Sequence, residues 1–293
     1  RGGGGGLTPS DIVPARLSQG ELDELAGQLR IADVLPLTPI QRGLLFHASA
    51  APGDDQVYAV QLDLHLAGAL EPGRLRHALD TVVRRHPNLV ARFCPQFDEP
   101  VQVIPADPVA VWRYVELDAG LDGSGVEAEV ARVCAAERAA VCDLGRPPAF
   151  RAVLIGVGGD RYRFVLTNHH IVVDGWSMPI VLREIFAGYQ GQRLPAAVPY
   201  RNYVRWLADR DLDSARAVWR KVLADFPSPT LVGPPDRLNL GRRDVAQFHV
   251  PERTTRAVGE LARACRTTVN TVLQGAFAQV LMWLTGQQDV VFG

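Results

Sequence analysis

The stretch Asn168-His169-His170-Ile171-Val172-Val173-Asp174-Gly175-Trp176-Ser177 sets two imidazoles, a carboxylate and a glycine close together in a 293-residue chain. Imidazole is the side chain best suited to moving a proton near neutral pH, and it is also a common metal ligand. Strand geometry separates those uses. Along Arg161 to His170, one face carries Tyr162, Phe164, Leu166, Asn168 and His170, and the other carries Arg161, Arg163, Val165, Thr167 and His169. The two rings diverge, which argues against a metal centre and for a single working imidazole. His170 extends the more apolar face, where partial burial predicts a near-neutral or lowered pKa and a ring able to accept a proton. A pair of structural histidines at a strand end would explain an isolated His-His, so the remaining residues must separate the two readings.

Asp174 stands between an apolar triplet and a tight turn, which calls for a cationic partner that anchors the loop aiming His170. Gly175 permits a left-handed or closely packed backbone, and Ser177 can cap a helix whose first amides face the same loop. The chain contains no Gly-x-Ser-x-Gly elbow, catalytic Cys-His pairing or phosphate-binding glycine loop to supply a nucleophile of its own. The nucleophile is therefore expected to belong to a substrate.

The elements that must hold this stretch follow from periodicity. Strands are expected near 149–156 and 161–169, joined by the turn Val157-Gly158-Gly159-Asp160. Alternation of Tyr58, Val60, Leu62, Leu64 and Leu66 with polar residues predicts another strand over Val57 to Ala67, covered on one face. Further strands are expected near 89–93, 101–104, 245–250 and 289–292. Capping boxes at Ser18/Glu21 and Thr38/Gln41 start two helices, and a third, with Leu75, Leu79, Val82 and Val83 on one face, stops before Pro87. More helices are expected near 125–140, after Ser177, and near 211–226, 252–266 and 269–284. The mixed order argues an α/β sandwich (α+β) rather than a doubly wound sheet.

Gly2 to Gly6 and the residues to Ala15 hold little that could pack and read as a linker tail, with order beginning near Ser18. Gly191, Pro195 and Pro199 mark a candidate boundary. The division expected is a linker with a short helix over 1–32, a first lobe over 33–192, a connector over 193–213 and a partial second lobe over 214–293. With 31 basic and 32 acidic side chains, the chain has no electrostatic footprint for nucleic acid or an anionic membrane. No apolar stretch reaches a membrane-spanning length and no secretory leader is evident, so a cytoplasmic location is expected. Cys94, Cys134, Cys142 and Cys265 lack metal or disulfide spacing and read as reduced core thiols.

His169 to Ser177 resembles the His-His-x-x-x-Asp-Gly core of nonribosomal peptide synthetase condensation domains, relatives of chloramphenicol acetyltransferase. Three more segments fit in order. Leu35-Pro36-Leu37-Thr38-Pro39-Ile40-Gln41-Arg42-Gly43-Leu44-Leu45-Phe46-His47 resembles the opening motif in the variant that follows an epimerization domain. Arg85-His86-Pro87-Asn88-Leu89-Val90-Ala91-Arg92-Phe93 resembles the second motif, and Tyr200-Arg201-Asn202-Tyr203-Val204-Arg205-Trp206 the fourth. The resemblance implies two acetyltransferase-like lobes in a V, with the histidine motif in a tunnel at their junction. Donor and acceptor peptidyl carrier domains would insert phosphopantetheine arms from opposite mouths, the domain itself binding no cofactor or metal. An acceptor aminoacyl amine would attack a donor peptidyl thioester, with His170 matching the second histidine of the motif, His169, Asp174 and Gly175 supporting it, and Trp176 and Ser177 in the substrate tunnel. Leu7 to Asp11 and Leu17-Ser18-Gln19 resemble the linker after epimerization domains, which implies a D-configured donor end, an L-acceptor, an upstream epimerization domain and a downstream adenylation domain.

The chain departs from the family pattern in places. The second motif usually has an arginine where Val90 stands, the expected ion partner of the motif aspartate, and Arg92 on the same strand face is the substitute. Asn202 replaces a usual Asp. Such domains normally continue past Val290 to Gly293 with the rest of the second lobe, so that lobe is expected to be incomplete here, exposing Leu261, Val272, Phe277, Leu281 and Trp283. The alternatives are an epimerization domain, which typically has Val-Ser-Trp where Trp176-Ser177-Met178 stands, and an inactive docking platform of the same fold, which would be expected to lack His170 or Gly175. A cyclizing relative would carry aspartate in place of the histidine pair, and an acyltransferase using free coenzyme A thioesters would not need carrier-bound substrates.

Overall fold

The computed structural model describes residues 6–50, 58–118, 120–144, 148–226, 228–233 and 248–292. The chain divides into two compact units, residues 1–210 and 211–293.

The first unit is built on a four-stranded sheet ordered β2 (Ala59–Ala67), β7 (Arg161–His169), β6 (Phe150–Gly156), β5 (Val111–Glu116). The β2–β7 and β7–β6 pairs are antiparallel, and the β6–β7 hairpin turns through Gly158, Gly159 and Asp160, all at positive φ, as the glycine pair predicts. β5 and β6 are parallel, which requires a crossover, and α4 (Gly123–Cys142) supplies it. Both faces of the sheet are covered. Phe164 and Leu166 of β7 pack with Leu75, Leu79, Val82 and Val83 of α3 (Pro72–Arg85) and Val181 and Ile185 of α5 (Met178–Tyr189). Val165, one residue out of phase, packs with Val130, Val133 and Cys134 of α4. This is the α/β sandwich expected from the order of elements.

A second sheet, β1 (Ile31–Pro36), β4 (Val101–Pro105), β3 (Arg92–Cys94), is antiparallel throughout. It receives α1 (Gln19–Gln28) and α2 (Pro39–Ala50), whose capping boxes at Ser18/Glu21 and Thr38/Gln41 both form. α6 (Tyr200–Ala208) belongs to this unit as well: Val204 is buried with Leu35 and Leu37, and Arg201 forms an ion pair with Asp33.

Several expectations are corrected. The segment before Ala15 is no loose tail, because Ile12, Ala15 and Leu17 are buried against Leu22, Val34 and Val103. Gly191, at positive φ, closes the turn after α5, and the irregular segment through Pro195 and Pro199 lies inside the first unit rather than at its boundary. The strand expected near 89–93 is a 3-10 turn over Pro87–Val90 followed by the shorter β3. β1, β5 and α6 carry no strand or helix expectation. Of the strand expected near 245–250, residues 245–247 lie outside the described residues and 248–250 are not strand; nor are 289–292. Cys94 and Cys134 are buried, but Cys265 is exposed.

The second unit contains α7 (Leu212–Val222), α8 (Glu252–Ala264) and α9 (Val269–Thr285). Thr268 caps α9 by accepting the Thr271 amide at 3.1 Å. Ala262 and Leu281 are buried, so Leu281 is not among the exposed residues as expected, and Val272 is half-buried. Leu261, Phe277 and Trp283 are exposed, Trp283 at 90%. No helix among the described residues is long and apolar enough to cross a membrane.

An apolar side chain left in water forgoes about 1.5–3 kcal/mol of burial. The polypeptide of residues 1–293 produced alone should therefore self-associate, and the double substitution Phe277→Ser, Trp283→Ser should raise the association midpoint about tenfold or more by sedimentation. A monomeric parent protein would contradict this.

Candidate active site

Strand β7 ends at His169, and the chain turns at once. Backbone groups that leave a sheet need new partners, and here they find them residue by residue. The His169 amide donates to Ala149 O at 2.8 Å and the His170 amide to Tyr58 O at 2.8 Å. The Ile171 amide donates to His169 Nδ1 at 3.1 Å, while the Ile171 carbonyl accepts from Gln41 Nε2 at 3.1 Å. The Val172 amide donates to His169 O at 3.1 Å. Asn168 Nδ2 donates to His169 O at 3.1 Å and to Val173 O at 3.3 Å. Ile171 and Val173 point into the core, buried, and pull the turn onto the unit.

The two histidines are thereby assigned opposite environments, and His170 is not partly buried as expected. His169 is 2% exposed, and burial, followed by the neighbouring His170, lowers its pKa to about 4. Its ring is neutral and serves as an internal acceptor for the backbone. His170 is exposed, and no described residue hydrogen-bonds its imidazole. The reason is that the two-residue alternation stops one residue before His170, whose direction is set by the turn and not by the pleat.

Asp174 also differs from expectation. No arginine among the described residues lies within ion-pair distance, Arg92 included. Its Oδ1 accepts the Ser177 amide at 2.7 Å, and the Met178 amide donates to Asp174 O at 3.1 Å. The Ser177 side chain and amide hold its pKa below the usual value against partial burial, with His170 adding a smaller electrostatic contribution. An exposed carboxylate supplied with amide donors needs no cation. Ser177 occupies the N-cap position of α5 in helical conformation, and its side chain makes no capping bond. The first amides after the turn are spent on Asp174 and are not free for a substrate oxyanion. Gly175 has no positive φ, and a Cβ there would meet nothing within 4 Å, so neither conformational nor steric need explains it. Trp176 projects outward at 89% exposure.

A cavity of about 680 Å³ lies under the other side of the turn, walled by Leu89, Val172, Ser177, Ile180, Arg84 and Tyr200 among others. His170 is not part of its wall. Several of its polar groups are already paired, Arg85 and His86 with Glu184 and Arg201 with Asp33. Among the described residues no cluster of three His, Cys, Asp or Glu side chains could hold a metal. What the arrangement can do is present one imidazole, on a fixed backbone, to a molecule arriving from outside.

Because His169 titrates at about 4 when folded and near 6.5 when unfolded, only the unfolded chain takes up its proton between those values. Stability is unaffected above pH 6.5 and falls as pH drops toward 4, by up to about 3 kcal/mol. Urea unfolding at pH 7 and pH 5 should show a loss of about 2 kcal/mol that is reduced in His169→Asn. Identical pH slopes in the two proteins would count against a buried neutral ring.

Comparison with known proteins identifies the family and the fold. The condensation-domain family model matches residues 31–293. Linear gramicidin synthase subunits C and B of Brevibacillus parabrevis are 34% and 36% identical over 99% of the chain, which spans only 4% and 6% of their length. The first condensation domain of the calcium-dependent antibiotic synthetase, bound to a substrate analogue, superposes with a TM-score of 0.66 at 25% identity, over 88% of this chain and 62% of that one. The condensation domain of the Monacolin K polyketide synthase MokA gives 0.67 at 18% identity, over 88% and 61%, and shares the fold. With the family model covering most of its length and synthetase relatives above 30% identity, this chain belongs to the condensation-domain family of nonribosomal peptide synthetases.

Proposed function

We propose that the chain is the condensation domain of a peptide synthetase and that His170 is its catalytic residue. The observation that carries the reading is the contrast within the pair: the His169 ring is buried with its Nδ1 accepting the Ile171 amide, while the His170 ring is left exposed on a tethered turn. Donor and acceptor carrier domains would bring their thioesters on phosphopantetheine arms. The acceptor α-amine attacks the donor thioester carbonyl, a C–N bond forms, the C–S bond breaks, and the proton lost by nitrogen ends on the departing thiol. An α-amine with a pKa of about 7.7–8.0 is already about a tenth to a sixth neutral at pH 7, so bulk deprotonation explains little of the barrier. His170 acts by orienting the amine through a hydrogen bond and receiving its proton as the tetrahedral intermediate forms. Asp174 and Gly175 shape the turn, and Trp176 and Ser177 stand where substrate would pass.

His170→Ala should slow single-turnover transfer between loaded carrier domains by about 10²- to 10⁴-fold, with thermal unfolding unchanged. A wild-type rate in that variant would remove His170 from the chemistry.

We further propose a donor ending in a D-residue and an L-amino-acid acceptor, with an epimerization domain upstream and an adenylation domain downstream. The support is the form of Leu35 to His47 and of the segment from Leu7 to Gln19, whose Ile12 and Leu17 pack into the domain. Donor thioesters differing only in the configuration of the last residue, compared in the same transfer, should favour D. Equal rates would rule this subtype out. An epimerization reading would instead be signalled by racemisation of a carrier-bound residue without transfer.

A further inference from the structure

The turn carrying His170 is tied at its ends by backbone bonds and internally by its own His169 and Asn168. Among the described residues, one side chain from a distant element bonds its interior: Gln41, 130 residues away at the third position of α2. Gln41 is 7% exposed and does two things at once. Its Oε1 accepts the Thr38 amide at 3.0 Å, closing the capping box, and its Nε2 donates to the Ile171 carbonyl. Glutamate closes a capping box equally well and would also suit the positive end of the helix. What glutamate lacks at neutral pH is the donor. The choice of amide at this position is thus explained by the turn rather than by the helix.

Gln102 of β4, 1% exposed, braces the amide. Its Nε2 donates to Gln41 Oε1 at 3.0 Å and to Pro36 O at 3.1 Å, and Gln41 Nε2 also approaches Gln102 Oε1 at 3.3 Å. The Tyr200 hydroxyl of α6 lies beside both amides. Ile171 is therefore bracketed, its amide held by the His169 ring and its carbonyl by Gln41, so that the residue after His170 cannot rotate. We propose that Gln41 is a positioning residue for His170, fixing the direction of the catalytic imidazole through the Ile171 carbonyl, with Gln102 holding its amide in the donating orientation. This rests on the peptide-bond-forming role of His170 argued above.

The test uses the full-length polypeptide carrying this domain, with loaded donor and acceptor carrier domains, and the variants Gln41→Met, Gln41→Glu and Gln102→Met. A misplacement of about 1 Å can cost about 10²-fold in rate. Gln41→Met should lower kcat by about 10- to 100-fold with carrier KM within about twofold, and Gln102→Met, which leaves the Ile171 bond unbraced, by less. Gln41→Glu should be as impaired at pH 8 but should recover several-fold relative to wild type at pH 6, because a protonated buried carboxyl can still accept from Thr38 while donating to Ile171. Wild-type kcat in all three variants, or a Gln41→Glu deficit independent of pH, would overturn the proposal. Should the wild-type protein itself transfer nothing, the functional reading fails and Gln41 is judged by amide exchange over 169–173: faster exchange in Gln41→Met with β6 and β7 unchanged supports it, and unchanged exchange refutes it.

Discussion

A buried backbone that leaves a sheet loses its ladder partners, and each group left unsatisfied costs about 1–3 kcal/mol. Between His169 and Asp174 that cost is avoided with side chains, and the identity of those side chains follows from it. An imidazole buried at 2% exposure can accept the Ile171 amide only if it stays neutral, which is the state its surroundings impose. An asparagine can reach two carbonyls at once, and Asn168 does. Asp174 takes the Ser177 amide and starts α5. The turn is thus tied through its backbone, with the buried Asn168 Oδ1 finding no partner among the described residues, and the ring it displays is left exposed.

The same economy extends to the sheet beneath. β7 is central and covered on both faces, so its alternate residues are committed to α3 and α5 on one side and α4 on the other. Charge enters this interior only in compensated form: Glu137, 2% exposed, is held by Arg113 and Arg151, and Glu184 by Arg85 and His86. Such pairs are costly to break from one side, since the remaining charge stays buried. They fix α4 on the sheet and α5 against the end of α3, and with α5 the far end of the histidine turn.

Much of this was legible in the chain. The β6–β7 hairpin, the caps of α1 and α2, the amphipathic α3 and the histidine motif follow from alternation, capping residues and turn glycines. β1 and β5 escaped because six residues ending at Pro36, or placed at the edge of a sheet, give too little periodicity to read. The exposure of His170 escaped for a sharper reason: pleat alternation does not extend one residue past the strand's end. Asp174 looked in need of an arginine because sequence shows charge but neither exposure nor the amides that face it. In sequence Gln41 shows only as half of a capping box, and its second bond, to Ile171, is set by tertiary approach alone.

The register of β2 has a consequence for how the protein is made. Ala59 pairs with His169 and Ala67 with Arg161, so an early strand waits for one that emerges about a hundred residues later. At synthesis rates of about 5–20 residues per second, that delay lasts about 5–20 s. During it β2 is an unpaired half-apolar strand, open to pairing with the wrong neighbour. The last residue to enter the register is the buried histidine itself. The histidine turn can therefore form only when the sheet closes, and until then the nascent chain carries an open strand edge.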